Sequence, residues 1–232
     1  MQYRDLIPGR FGGRFIASHI RIPDGGPVPD YVHHHDIEFQ MIFCVNGWVR
    51  VAYEDQGAPM FLTAGDCFLQ PPHIRHRVLE SSEAMEVVEI TCPAEHETAV
   101  DHDMTLPTAR RDREFGGQKF VFFEAAKAPW QAATAREFEY RDTGISDATR
   151  SVASAIVVRA TTAGAGLDLT HASELRFVYV LRGRATLDAT ECLELFAGHS
   201  CAIPPGESAV LTDVSADFEF LDVAAPSLSR DR

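Results

Sequence analysis

The chain repeats itself once, and that repeat limits the folds open to it more than any other feature. Tyr3-Arg4-Asp5 recurs as Tyr140-Arg141-Asp142, and each is followed by a strand-like stretch, residues 15–22 and 152–159. The turn Val45-Asn46-Gly47-Trp48 has a counterpart in Leu181-Arg182-Gly183-Arg184. Further on, Gly65-Asp66-Cys67-Phe68-Leu69-Gln70-Pro71-Pro72 is answered by Gly198-His199-Ser200-Cys201-Ala202-Ile203-Pro204-Pro205. Landmarks kept in one order, at a spacing far beyond the roughly 20 to 50 residues of a solenoid unit, describe a duplicated domain. At 232 residues and 45% apolar, the chain can supply a core for each half. The boundary is expected in the charge-rich stretch 104–114, which gives domains at 1–105 and 106–232.

Between the landmarks the sequence reads as short strands. Apolar runs at residues 39–45, 48–53, 86–92, 153–159, 177–181 and 218–223 are broken by Gly, Pro, Asn and Asp. The best helical period covers only residues 129–138. The fold class expected is therefore all-β, with two tandem barrels or sandwiches and minor helix.

A formal net charge of −13, with Lys and Arg scattered, opposes binding to nucleic acid or an anionic membrane, so neither is expected as a partner. No apolar run is long enough to span a bilayer and the first residues do not read as a signal peptide, so a cytoplasmic location is expected. Cys44, Cys67, Cys92, Cys192 and Cys201 form an odd set without Cys-x-x-Cys spacing. They are expected to be reduced core residues.

The chemistry is concentrated in His33-His34-His35-Asp36-Ile37-Glu38-Phe39-Gln40. On an extended strand, residues two apart share a face, so His33 and His35 can present their rings together while His34 points away. Two imidazoles are half of a metal site, and a second segment offers a third: Gly65, then Pro71-Pro72-His73, then His76. His34 and His73 are expected at the surface, and His96 and His102 in loops. By strand parity Ile42, Cys44, Phe68 and Val78 would line an apolar pocket beside the rings.

These two segments resemble the two motifs of the cupin superfamily. The first motif reads His-x-His, four residues, Glu, six residues, Gly. The second reads Gly, five residues, Pro-x-Gly, two residues, His. The resemblance covers about residues 25–95 and 160–225 and is similar to a bicupin. It implies jelly-roll barrels and one divalent metal ion (Fe, or Zn, Mn, Ni) held in the N-terminal barrel by His33, His35 and His76. Two positions depart from the pattern: Gln40 replaces the glutamate ligand, and His73 the glycine of the second motif. An amide oxygen is a weaker donor than a carboxylate, so Gln40 either ligates loosely or holds a bound water. Glu38, two residues earlier, is the candidate catalytic base or substitute ligand. In the second half Leu169, His171, Arg176 and Ala209 take the places of His33, His35, Gln40 and His76, a set that cannot hold a divalent ion.

A three-histidine site without a carboxylate keeps the ion's double charge and leaves coordination positions open. That favours a small anionic, chelating organic substrate. The resemblance to quercetinase-like and diketone-cleaving cupins implies a dioxygenase. The alternatives are a redox-neutral isomerase, lyase or decarboxylase, and a non-catalytic small-molecule-binding barrel. A small-molecule substrate and a homodimer are the partners compatible with this reading.

Overall fold

Each apolar run bounded by turn residues is a strand: Phe39–Asn46, Trp48–Tyr53, Met85–Cys92, Ser154–Ala160, Leu175–Arg182 and Glu219–Ala225. The computed structural model describes residues 1–226 and separates into two units, Met1–Ala125 and a second that begins at Ala126.

In the first unit one sheet runs in the order Gln2–Asp5, Ile16–Ile22, Met85–Cys92, Phe39–Asn46, Cys67–Leu69 and Val121–Phe123. The other runs Thr98–Val100, His33–His35, His76–Ser81, Trp48–Tyr53 and Met60–Thr63, with Gly26–Pro27 also on His76–Ser81. All pairings are antiparallel, as a jelly roll requires. Apolar side chains from both sheets, among them Cys44, Val51, Leu62, Phe68 and Met85, close the interior. Burying each large one contributes about 1.5–3 kcal/mol.

The second unit repeats this plan. Its larger sheet runs Gln131–Ala132, Phe138–Asp142, Ser154–Ala160, Glu219–Ala225, Leu175–Arg182 and Ser200–Ile203. Its smaller sheet runs Leu167–Asp168, Val210–Thr212, Arg184–Asp188 and Cys192–Phe196. The repeated Tyr-Arg-Asp triplets occupy equivalent registers, with Tyr3 opposite Ile20 and Tyr140 opposite Val158.

The two matched turns show why the register is fixed. Gly47 and Gly183 have φ of 72° and 71°, in the left-handed region where a side chain is strained. A Cβ on Gly183 would stand 2.8 Å from the Phe218 nitrogen, and one on Gly47 3.3 Å from Met85 Cα. The turn therefore sets which residues of Phe39–Asn46 face inward, because a slip of one position would invert every side chain.

Three expectations are corrected. The boundary lies later than 105/106, because residues 106–125 pack on the first unit: Val121–Phe123 pairs with Cys67–Leu69, and Arg113 bonds Glu54 at 2.6 Å and Asp55 at 2.9 Å. Residues 129–138 form no helix. Gln131–Ala132 and Phe138–Asp142 pair as strands there, and the Trp130 ring is covered by the guanidinium groups of Arg141 and Arg159. Not every cysteine is in a core: Cys44, Cys67 and Cys92 are buried, Cys201 is half-buried and Cys192 is exposed. Among the described residues, no helix is long and apolar enough to cross a membrane.

Candidate metal centre

His33 and His35 share one face of His33–His35, as alternation dictates, and His33 lies directly opposite His76 on the neighbouring strand. Strand pairing thus joins the two motif segments at a single point. The ring centroids are 5.1 Å apart for His33 and His35, 4.3 Å for His33 and His76, and 5.2 Å for His35 and His76. One ligand nitrogen from each ring lies within 4.8 Å of the other two.

The inner nitrogens are already held. His33 Nδ1 donates to the Tyr31 carbonyl at 2.8 Å, His76 Nδ1 to the Ile74 carbonyl at 3.1 Å, and His35 Nδ1 shares a 2.8 Å hydrogen bond with the Thr98 hydroxyl. The two carbonyl bonds fix the tautomer that leaves Nε2 of His33 and His76 with its lone pair, the arrangement metal-ligating histidines adopt, and the Thr98 hydroxyl orients the His35 ring. Burial, with the charges of His33 and His96 adding to it, pushes the His35 pKa down to about 4. Burial likewise drives His76 well below its ordinary value, followed by the influence of His33 and His35. His35 and His76 are thus held neutral, as ligation demands, and three convergent imidazoles fit one divalent ion. Tyr53 braces the arrangement by stacking on His76 at 5.6 Å.

The rings open onto a cavity of about 320 Å³. Its walls are mainly aliphatic and aromatic, including Ile20, Ile42, Val51, Leu62, Phe68 and Val87. Among the described residues no lysine or arginine lines it. Ile42, Phe68 and Val78 line the cavity as parity suggested, whereas Cys44 packs in the core with its thiol against the Asn46 and Gly47 carbonyls.

Glu38 does not enter the site. It sits at a bend before Phe39–Asn46, so strand parity does not apply to it. Its carboxylate is 54% exposed and takes two 2.8 Å hydrogen bonds from Arg14, which hold its pKa below the usual carboxylate value. Gln40 is buried one layer behind the cavity, where its Oε1 accepts from Gln70 Nε2 at 2.9 Å. Gln70 Oε1 in turn accepts from the Tyr53 hydroxyl. With its oxygen committed, Gln40 presents its NH2 to the carboxylate of Glu89, which sequence reasoning missed.

Glu89 lines the cavity with the three histidines. Burial raises its pKa, against the opposing effect of Gln40 and then of His33. The other acidic wall residue, Asp30, is occupied: it accepts from the Tyr31 and Val78 backbone nitrogens and lies 3.5 Å from His33 Nδ1. Of the remaining histidines, His34 and His73 face each other on the far side of the strand, His96 lies 5.3 Å from His35, and His102 packs on Tyr31.

In the second unit the corresponding interior is filled. Leu169 and Ala209 are fully buried, His171 Nε2 hydrogen-bonds the Ile203 carbonyl at 2.8 Å, and Arg176 makes bonds of 3.1 Å and 2.7 Å to Asp222.

The family model described as Cupin domain matches residues 18–91. No curated protein sequence matches the chain. Among solved structures, salicylate 1,2-dioxygenase from Pseudaminobacter salicylatoxidans is similar with a TM-score of 0.74 at 15% identity, over 97% of this chain and 76% of that one. Protein Ylba from E. coli is similar with a TM-score of 0.70 at 13% identity, covering 99% and 84%. Oxalate decarboxylase from Lactobacillus farciminis has a TM-score of 0.70 at 13% identity, covering 96% and 80%. At such identities the likeness speaks for the fold alone. Within the first unit, residues 18–91 thus match the model of the Cupin domain.

Proposed function

We propose that the first unit is a mononuclear metal centre that acts on a small anionic organic substrate able to chelate the ion, with dioxygen-dependent carbon–carbon cleavage as the reaction. The observation that carries this reading is the set of three convergent imidazoles, His33, His35 and His76, each held through Nδ1, with no carboxylate in the cluster, facing a largely apolar cavity. When bound, a divalent ion such as iron supplies Lewis acidity and redox chemistry toward dioxygen. The chain's own part is to hold His35 and His76 neutral and to exclude water through the aliphatic walls, so that a chelating anion is drawn to one place. Salicylate 1,2-dioxygenase, a protein of similar fold, lends support by its named activity. The test is oxygen uptake by iron(II)-reconstituted protein with diketones, catechols and hydroxy-ketones. Silence with the whole panel would sink the oxygenase reading.

The cavity carboxylate of Glu89 favours a second reading, redox-neutral isomerisation, lysis or decarboxylation by proton transfer. Metal analysis of the protein as purified separates the two: iron supports oxygenation, and zinc alone supports Lewis-acid chemistry.

We also infer that the chain is a bicupin. The shared strand order and the matched registers of Tyr3 and Tyr140 support reading the second unit as a copy of the first. In that copy Leu169, Ala209 and the Arg176–Asp222 pair stand where the first has its site.

A further inference from the structure

Glu89 is a cavity carboxylate whose side-chain hydrogen-bond partners, Gln40 and Thr91, are both uncharged. It sits in the middle of Met85–Cys92, opposite Ile42 on one side and Ser18 on the other, with the apolar Val87 before it and the polar Thr91 and Gln40 after it on the same face. A buried acid placed among aliphatic side chains costs stability, and an apolar residue would pack there better. Asp30 shows what a structural acid looks like in this cavity, since backbone donors take both of its oxygens. The group behind Glu89 is instead a relay of neutral polar side chains. The Tyr53 hydroxyl donates to Gln70, Gln70 donates to Gln40, and Gln40 donates to Glu89. Tyr53 also stacks on His76, so one aromatic ring holds both a ligand histidine and the start of the chain that aims the carboxylate.

Resting on the metal-centre reading above, we propose that Glu89 is the catalytic residue that takes the proton a chelating substrate loses, with Gln40, Gln70 and Tyr53 as its positioning residues. A neutral enol, phenol or 2-hydroxy-ketone must lose the proton of its hydroxyl to bind as a chelate. The O–H bond breaks, its electron pair stays on oxygen, where an ion held by His33, His35 and His76 would stabilise it, and the proton passes to a Glu89 oxygen. Charge and atoms balance without any oxidant. The substrate class follows: a molecule that enters neutral through apolar walls and becomes an anion only inside. A substrate already carrying two carboxylates would find neither a lysine nor an arginine for the second, among the described residues lining the cavity.

The experiment uses the full-length protein loaded with zinc(II), which has no redox chemistry, and maltol, a hydroxy-ketone that loses one proton on chelation. Protons released to a weakly buffered indicator solution are counted per maltol bound, and affinity is measured by titration. The wild type is expected to release none, because Glu89 retains the proton. Glu89→Gln is expected to release one and to bind maltol roughly ten- to hundredfold more weakly, with zinc affinity unchanged. Tyr53→Phe, which removes only the hydroxyl, is expected to move the proton count part of the way toward one. Release of a full proton by the wild type overturns the proposal without need of any variant, as does a Glu89→Gln protein that matches the wild type in both readouts. A Tyr53→Phe protein indistinguishable from the wild type removes the relay. Failure of the wild type to bind zinc is a different result: it overturns the metal centre itself, and this inference with it.

Discussion

Glu89 and Asp222 occupy the same place in their two sheets. Glu89 lies opposite Ile42, two residues after Gln40, and Asp222 lies opposite Val178, two residues after Arg176. The difference is in the neighbour. Arg176 clamps Asp222 with bonds of 3.1 Å and 2.7 Å, whereas the uncharged Gln40 leaves Glu89 free to face a cavity. This change of partner accompanies the filling of the second interior by Leu169 and Ala209, which stand in place of His33 and His76.

The Arg176–Asp222 pair is buried on both sides, with 10% and 5% side-chain exposure, so removing one member strands the other. Asp222→Ala is expected to destabilise the protein by about 3–5 kcal/mol. The double variant Arg176→Met, Asp222→Leu should recover most of that loss, because an apolar pair of similar volume carries no desolvation cost. Urea unfolding of the three proteins measures both effects; a double variant as weak as the single one would show that the ion pair itself stabilises the unit.

Thr98 contributes to the centre without touching the ion. Its hydroxyl holds His35 Nδ1 at 2.8 Å, and Thr98–Val100 pairs along the strand that carries the ligands. Thr98→Val keeps the shape and removes the bond. Zinc affinity is expected to fall by about 10–100-fold, against near-complete loss for His33→Ala, His35→Ala or His76→Ala. Competition with a chromophoric chelator reads all four; full affinity in Thr98→Val would mean that the ring is fixed by packing alone.

Much of this site was legible because its ligands come from local patterns. The His33–His35 alternation is a property of any extended strand, and the spacing from Gly65 to His76 is set by one turn and the Pro71-Pro72 bend. Their convergence needed only one pairing, His33 with His76. Glu89 was illegible for the opposite reason: it reaches the cavity through its register with Ile42, a non-local pairing that no spacing in the sequence encodes. Glu38 misled because parity was extended one residue beyond the strand's real start at Phe39. The late domain boundary was hidden in the same way, since the anchoring of residues 106–125 depends on pairing with Cys67–Leu69 and on ion pairs to Glu54 and Asp55.

Glu38 supplies a control for the choice between two nearby acids. Its bond to Arg14 is solvent-exposed, with 54% and 41% of the two side chains accessible, and such pairs contribute little. Glu38→Gln is expected to leave metal affinity and any turnover within about twofold of wild type, since surface changes of this kind stay within ~0.5 kcal/mol. Turnover lost in Glu38→Gln and kept in Glu89→Gln would return the acid–base role to the residue at the strand start.

The metal-free protein should lose stability as the solution is acidified, and the direction follows from the histidines. In the unfolded chain a histidine takes up its proton near 6.5, whereas folded His35 resists until about 4 and burial likewise holds folded His76 well below 6.5. Between those values the unfolded state binds more protons than the folded one, so falling pH favours unfolding. The loss begins as pH drops through 6.5 and grows by about 1.4 kcal/mol per pH unit for each such residue, until His35 itself protonates near 4. His76→Phe should reduce the slope of stability against pH, because a ring that cannot titrate is left beside Tyr53. Denaturant midpoints measured from pH 8 to pH 4 test this, and an unchanged slope in His76→Phe would mean that His76 is not held neutral by its burial.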